Sequence, residues 1–189
     1  MPCSSYTAQF AIQALYEGNL DDHGASALQV LTSDAKHTWR HMMAQGATTT
    51  MEAWDTDEKP NLTWSHVWSA SPGFLIPWLL FGLQCLTPGC NTLRVRPAVG
   101  SLREGSYTLP TVKGPVVCRF TQRTSGLEVT LVLPVGIDAS VALPRAATDD
   151  SLPSTILVNG APWQGGVRDE GAHVVAMGLR AGEYVVRLA

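Results

Sequence analysis

The chain has 189 residues, 45% of them hydrophobic and only 15% charged, which is too apolar for a disordered segment and long enough for one ordinary domain or two small ones. Its formal net charge of -3 leaves no basic excess to neutralise a phosphate backbone, so nucleic acid is not an expected partner. The longest apolar run, residues 74–83, is half of the about 20 residues that a membrane span needs, and it contains Pro77. The N-terminus has neither the basic start nor the apolar stretch of a signal peptide.

The elements change character near residue 90. Phe10, Ala11, Ala14 and Leu15 have the spacing of one buried helical stripe, with Ser4 or Ser5 as N-cap and Gly18 as the stop. Asp21 or Asp22 suits the cap of a second helix with Ala27, Leu28 and Leu31 facing inward. Trp39, Met42 and Met43 mark a third, closed by Gly46. The pattern then dissolves into a long loop, of a length that is often functional. Ser71-Pro72 reads as an N-cap with Pro at the first helical position. The apolar run that follows predicts a helix over 74–83, buried on every side, kinked or delayed by Pro77.

Beyond residue 90 the pattern is that of strands: 92–97, 116–122, 127–133, 139–143, 155–158 with a hairpin turn at Asn159-Gly160, 173–179 and 183–188, separated by Pro and Gly. Short strands at this spacing predict an antiparallel β-sandwich. Charge divides at the same place. Residues 1–90 hold three Lys/Arg against eight Asp/Glu, and residues 91–189 hold ten against eight. Five of the six tryptophans lie between Trp39 and Trp78. The expected organisation is therefore a helical unit over 1–90 and a strand unit over 91–189. A helical unit of 90 residues with a wholly apolar member cannot easily bury it, so this half reads as a slice of something larger.

The chemistry concentrates in the loop. Residues 46–55, GATTTMEAWD, set Glu52 among three threonines and beside Trp54. A carboxylate held by hydrogen bonds can act as a general base, and an indole face can cover the apolar side of a sugar ring. Residues 64–68, WSHVW, place His66 between Trp64 and Trp68. The alternative is a solvated acidic loop followed by core tryptophans. Elsewhere the plain readings prevail. Cys85 and Cys90 lack a third and fourth ligand at metal spacing, so no metal or cofactor is expected, and the two cysteines read as small buried side chains. His23, His37 and His41 read as surface histidines, and Gly165-Gly166 as a turn.

Four strings, GATTTMEAWD at 46–55, KPNLTWSHVWSASP at 59–72, LTPGCNTLRVRPAVG at 86–100 and LPTVKGPV at 109–116, resemble the C-terminal part of the α-L-rhamnosidases of glycoside hydrolase family 78. The resemblance covers roughly residues 4–143. It implies the last helices of an (α/α)6 toroid over 1–90, followed by a C-terminal antiparallel β-sandwich over 91–189. It implies hydrolysis of terminal α-L-rhamnose from glycosides with inversion, which needs two carboxyl groups about 6.5–9.5 Å apart. By the same resemblance Glu52 takes the general base's position and His66 a sugar-contacting one, while Trp54, Trp64 and Trp68 are candidate pocket walls. The family's general acid comes from a motif far upstream that nothing in this chain matches. The expected partner is a rhamnose-containing glycoside or polysaccharide, and the chain by itself is expected to be inactive. The competing readings are a non-catalytic carbohydrate-binding or structural module, and an accessory chain completing another chain's toroid.

Overall fold

The computed structural model describes residues 3–18, 24–145 and 155–189. The chain divides into a helical unit, residues 1–76 with 98–101, and a strand unit, residues 77–97 with 102–189.

The helical unit begins with α1 (Ala8–Gly18), α2 (Ala25–Thr32) and α3 (Trp39–Ala44). Ser4 opens α1: its hydroxyl accepts the Thr7 N–H at 3.1 Å and its carbonyl accepts the Ala8 N–H at 3.0 Å. The stripe that α1 buries is Ala8, Ile12 and Tyr16. The expected stripe is on another side, with Phe10 53% exposed and Ala11 and Ala14 also exposed. The helix has two apolar sides, and spacing alone cannot say which of them this chain covers. The expected caps Asp21 and Asp22, and with them His23, lie outside the described residues. Gly24 is the N-cap of α2 at φ 84°, and a Cβ there would stand 2.4 Å from the Ala98 carbonyl oxygen, so the site requires glycine. Thr38 caps α3 by accepting the His41 N–H at 3.2 Å.

After the loop come a 3₁₀ turn (Val67–Ser69) and α4 (Pro72–Leu75). The expected helix over 74–83 is not formed. α4 is four residues long and widens into a π-helical turn at Ile76–Leu80. Pro77 brings no N–H and crowds the preceding turn, which breaks the α pattern there. Nor is the segment buried all round, since Phe74 is 45% exposed.

The strand unit contains two sheets. One has five strands in the order β1 (Leu83–Cys85), β2 (Thr92–Val95), β6 (Asp138–Pro144), β10 (His173–Leu179), β9 (Gly166–Asp169). The other has six, in the order β3 (Glu104–Leu109), β4 (Val116–Arg123), β5 (Gly126–Leu133), β11 (Gly182–Leu188), β7 (Ile156–Val158), β8 (Ala161–Pro162). The described pairings are antiparallel apart from β2 with β6, which is parallel with Leu93 opposite Ala139. Alternation supplies the core: Val116, Cys118, Phe120, Val129, Leu131 and Leu133 from one sheet, and Leu93, Val95, Val141, Leu143, Val174 and Ala176 from the other. The fold class is thus short helices followed by an antiparallel-rich β-sandwich. Asn159 (φ 51°) and Gly160 (φ 84°) make the tight turn between β7 and β8. Gly166 starts β9 instead of completing a turn.

Cys85 and Cys90 are disulfide-bonded, with Cα atoms 4.8 Å apart, and are not simply small buried side chains. The 3₁₀ turn at Pro88–Cys90, with Gly89 and Cys90 both at positive φ, folds the chain back far enough for the sulfurs to meet. Cys118 is a free, buried thiol, and burial pushes its pKa up to about 12. No helix among the described residues is long and apolar enough to cross a membrane.

Candidate active site

Residues 46–66 form a closed loop because its two limbs are stitched by backbone and hydroxyl bonds. Glu52 N donates to Thr63 O at 2.9 Å, and His66 N donates to Thr50 O at 2.7 Å. The Thr49 hydroxyl donates to Trp64 O at 2.8 Å, and the Thr50 hydroxyl to His66 O at 2.9 Å. Two of the three threonines therefore act on the loop itself. Beneath the loop Met51, Trp54 and Leu62 pack with Ala8 and Met42 into one cluster. The Trp39 indole N–H reaches Ser69 O at 2.7 Å, and the Ser69 hydroxyl reaches Met51 O at 2.5 Å.

Asp55 anchors the same loop from below. Its carboxylate accepts the Asp57 N–H at 2.8 Å, His41 Nε2 at 2.9 Å and Lys36 Nζ at 3.2 Å. Chiefly the Asp57 N–H, then His41, and more weakly Lys36 lower its pKa to about 2 against the opposing effect of burial. His41 is thus a loop-bracing residue and not a surface histidine. A folded-state pKa below the ordinary 3.8 stabilises the fold above that value, and the gain disappears as pH falls through about 2. Acid unfolding of the helical unit, followed by tryptophan fluorescence, is accordingly expected between about pH 4 and 2. Asp55→Asn is expected to lower stability at neutral pH and flatten that dependence; an unchanged acid profile would remove Asp55 as the anchor.

Glu52 stands at an open cavity of about 400 Å³ whose lining includes Ser5, His37, Trp54, Glu58, Lys59 and Trp68. One carboxylate oxygen takes a hydrogen bond from the Lys59 ammonium, and the other takes the Thr63 N–H at 3.0 Å. The Ser5 hydroxyl donates to the Glu52 carbonyl at 2.9 Å, a tie to the N-terminal segment that no motif announced. The Lys59 hydrogen bond first, then the Thr63 N–H, hold the Glu52 carboxyl below the usual carboxylate range against the opposing effect of burial. Glu52 is therefore an ionised acceptor at neutral pH. His37 pairs with Glu58 on the same cavity and is likewise not a lone surface histidine.

The other candidates occupy different environments. Trp54 is 2% exposed, meets Trp39 edge-on at 5.1 Å and donates its indole N–H to Cys3 O at 2.7 Å, so it lines the cavity floor from within the core. Trp68 lines the cavity and is 48% exposed. His66 packs on Trp68 with ring centroids 4.7 Å apart, and its Nδ1 accepts the Trp68 N–H at 3.2 Å, which leaves the proton of a neutral ring on Nε2. His66 and Trp64 are not among the cavity's lining residues. Among the described residues no group of three or more His, Cys, Asp or Glu side chains is arranged to hold a metal ion.

Short helices with a carboxylate-bearing loop, followed by a β-sandwich, are the layout that the resemblance implies for a six-hairpin glycosidase segment and its C-terminal domain. Residues 6–80 match the bacterial α-L-rhamnosidase six-hairpin glycosidase domain, and residues 82–155 match the bacterial α-L-rhamnosidase C-terminal domain. The chain belongs to the bacterial α-L-rhamnosidase family. It is similar in fold to an α-L-rhamnosidase from Dictyoglumus thermophilum (TM-score 0.81, 18% identity, 96% of this chain and 20% of that one). It is similar also to the Streptomyces avermitilis α-L-rhamnosidase complexed with L-rhamnose (TM-score 0.77, 21% identity, 95% and 17%). A third likeness is to the α-L-rhamnosidase of Aspergillus terreus (TM-score 0.61, 17% identity, 97% and 22%). The chain thus spans about a fifth of the length of these enzymes. A search of curated proteins finds no significant match.

Proposed function

We propose that this chain supplies the general-base half of an inverting α-L-rhamnosidase site. The observation that carries the reading is Glu52: an ionised carboxylate, fixed through both oxygens on a braced loop, open to a cavity that Trp68 shares. Each carboxylate oxygen has two lone-pair positions, so a water can still donate to Glu52 beside Lys59 or Thr63. In the proposed reaction Glu52 takes a proton from that water as its oxygen bonds to the anomeric carbon. The glycosidic C–O bond breaks on the opposite face, and the departing oxygen takes a proton from a carboxylic acid outside this chain. Trp68 offers the cavity an aromatic face suited to the apolar side of a deoxy sugar, and His66, outside the cavity lining but packed against Trp68, is the polar group beside it.

The experiment is turnover of an aryl α-L-rhamnoside. The chain alone is expected to release no rhamnose, because general acid assistance contributes about 10²–10⁴-fold and substrate positioning is lost with it. The chain fused to the preceding toroid helices of a family member is expected to hydrolyse the substrate. No turnover by a folded fusion would overturn the reading. The exposed Trp64 and Trp68 favour a second reading, a carbohydrate-binding module. It predicts L-rhamnose binding by a fusion that never turns over.

A further inference from the structure

Lys59 opens the string at 59–72 but is assigned no role there, and it lies outside the motif that singles out Glu52, yet the fold takes trouble to place it. It lies on the turn between the two limbs of the loop. Its N–H donates to Asp55 O at 3.2 Å, and its carbonyl accepts the Leu62 N–H at 3.0 Å. Both of those neighbours are fixed. Asp55 is buried under its three donors, and Leu62 is buried against the cluster of Met51 and Trp54. The backbone on either side of Lys59 is therefore pinned, and its four-carbon stem is aimed along the cavity at Glu52. Among the described residues its ammonium has one acceptor, a Glu52 carboxylate oxygen. The competing anion on the cavity, Glu58, is taken by His37.

We propose that Lys59 is the positioning residue for Glu52: with the Thr63 N–H it clamps the carboxylate from two sides, fixing the face it offers to the cavity. The proposal rests on Glu52 as the base. The clamp has a defined division of labour. The Thr63 N–H belongs to the loop's own stitching, since Glu52 N donates in return to Thr63 O, and cannot be removed by a side-chain change. Lys59 is the removable jaw. A carboxylate held by Thr63 alone could swing about its Cγ–Cδ bond, and a base off its line by a fraction of an ångström loses rate out of proportion to the displacement. The charged group in contact with Glu52 is Lys59, and the His66 ring, whose Nδ1 accepts the Trp68 N–H, is the other titratable group that bears on it. Lys36 is engaged with Asp55.

The experiment is a ¹³C-carboxyl NMR titration of Glu52 in the whole chain, comparing the native sequence with Lys59→Met and Lys59→Arg. The expected result is a Glu52 midpoint below the ordinary carboxylate range in the native chain, a rise in Lys59→Met, and a restored low midpoint in Lys59→Arg. Equal midpoints in the native chain and Lys59→Met would overturn the proposal. Should Lys59→Met not fold, the native chain carries the test: the Lys59 ¹⁵Nζ resonance is expected to shift with the Glu52 midpoint, and a resonance indifferent to it would overturn the proposal. The measurement involves no turnover, so failure of the fusion to hydrolyse rhamnosides would sink the base assignment and leave the titration result standing on its own.

Discussion

Glu52→Gln in the completed fusion is expected to lower the rate of rhamnoside hydrolysis by at least about 10²-fold while L-rhamnose binding persists. The amide keeps the size of the side chain and can still accept the Thr63 N–H through its oxygen. It cannot take a proton from water at neutral pH, so the loss falls on the transition state. His66→Ala should behave differently, raising KM as well as lowering kcat, because its proposed part is a hydrogen bond to the sugar. A folded Glu52→Gln fusion with near-native rates would remove the base assignment, leaving Glu52 as one half of an ion pair with Lys59.

Phe120→Ala is expected to destabilise the strand unit by about 3–5 kcal/mol, a large share of the ~5–15 kcal/mol that holds a typical domain together. The ring is buried on β4, 5.3 Å from Phe81, and it lies over Gly105 of β3, its partner in register. A Cβ on Gly105 would approach the ring to 2.5 Å, so the ring occupies the space that the glycine leaves open, and removing it leaves a cavity there. Urea unfolding should show a lower midpoint with an unchanged slope. Val112→Ala, at an 87% exposed position, is the control and should shift stability by no more than about 0.5 kcal/mol. Equal midpoints for the two variants would mean that the Phe81–Phe120–Gly105 packing is not where this unit's stability resides.

The interior strands were legible because their two faces differ. β5 buries Leu127, Val129, Leu131 and Leu133 and half-exposes the residues between them, which is the alternation that a reader of sequence looks for. The strands that escaped notice are edges or nearly so. β3 buries no residue fully, β9 exposes all four, and β1 is three residues long, so none carries the apolar rhythm of a buried face. The Cys85–Cys90 bond depends on backbone angles at Gly89 and Cys90 that spacing does not encode. Glu52 and His66 draw attention because each sits in a string with a family pattern; of the two, Glu52 lines the cavity and His66 does not. The contacts of Ser5 and Lys59 could not be read, although Lys59 opens one of those strings, because each reaches a residue at a distance along the chain and leaves no periodic trace. The threonines beside Glu52 were visible as hydroxyls, yet whether a hydroxyl faces a sugar or its own loop is decided only by tertiary geometry.

The short return of the chain at 98–101 bears on how such a protein can be divided or inherited. The backbone leaves the helical unit at residue 76, builds β1 and β2, comes back for four residues, and departs again at 102. In those four residues Val99 is buried, the Ala98 carbonyl closes over the Gly24 cap of α2, and Gly100 approaches Ala25 and Leu28. No single cut separates the two units. A break before residue 98 strips the cap of α2 of its cover, and a break after 101 takes β1 and β2 from the five-stranded sheet. The pair therefore cannot be exchanged as independent modules by one recombination joint without cost to one of them.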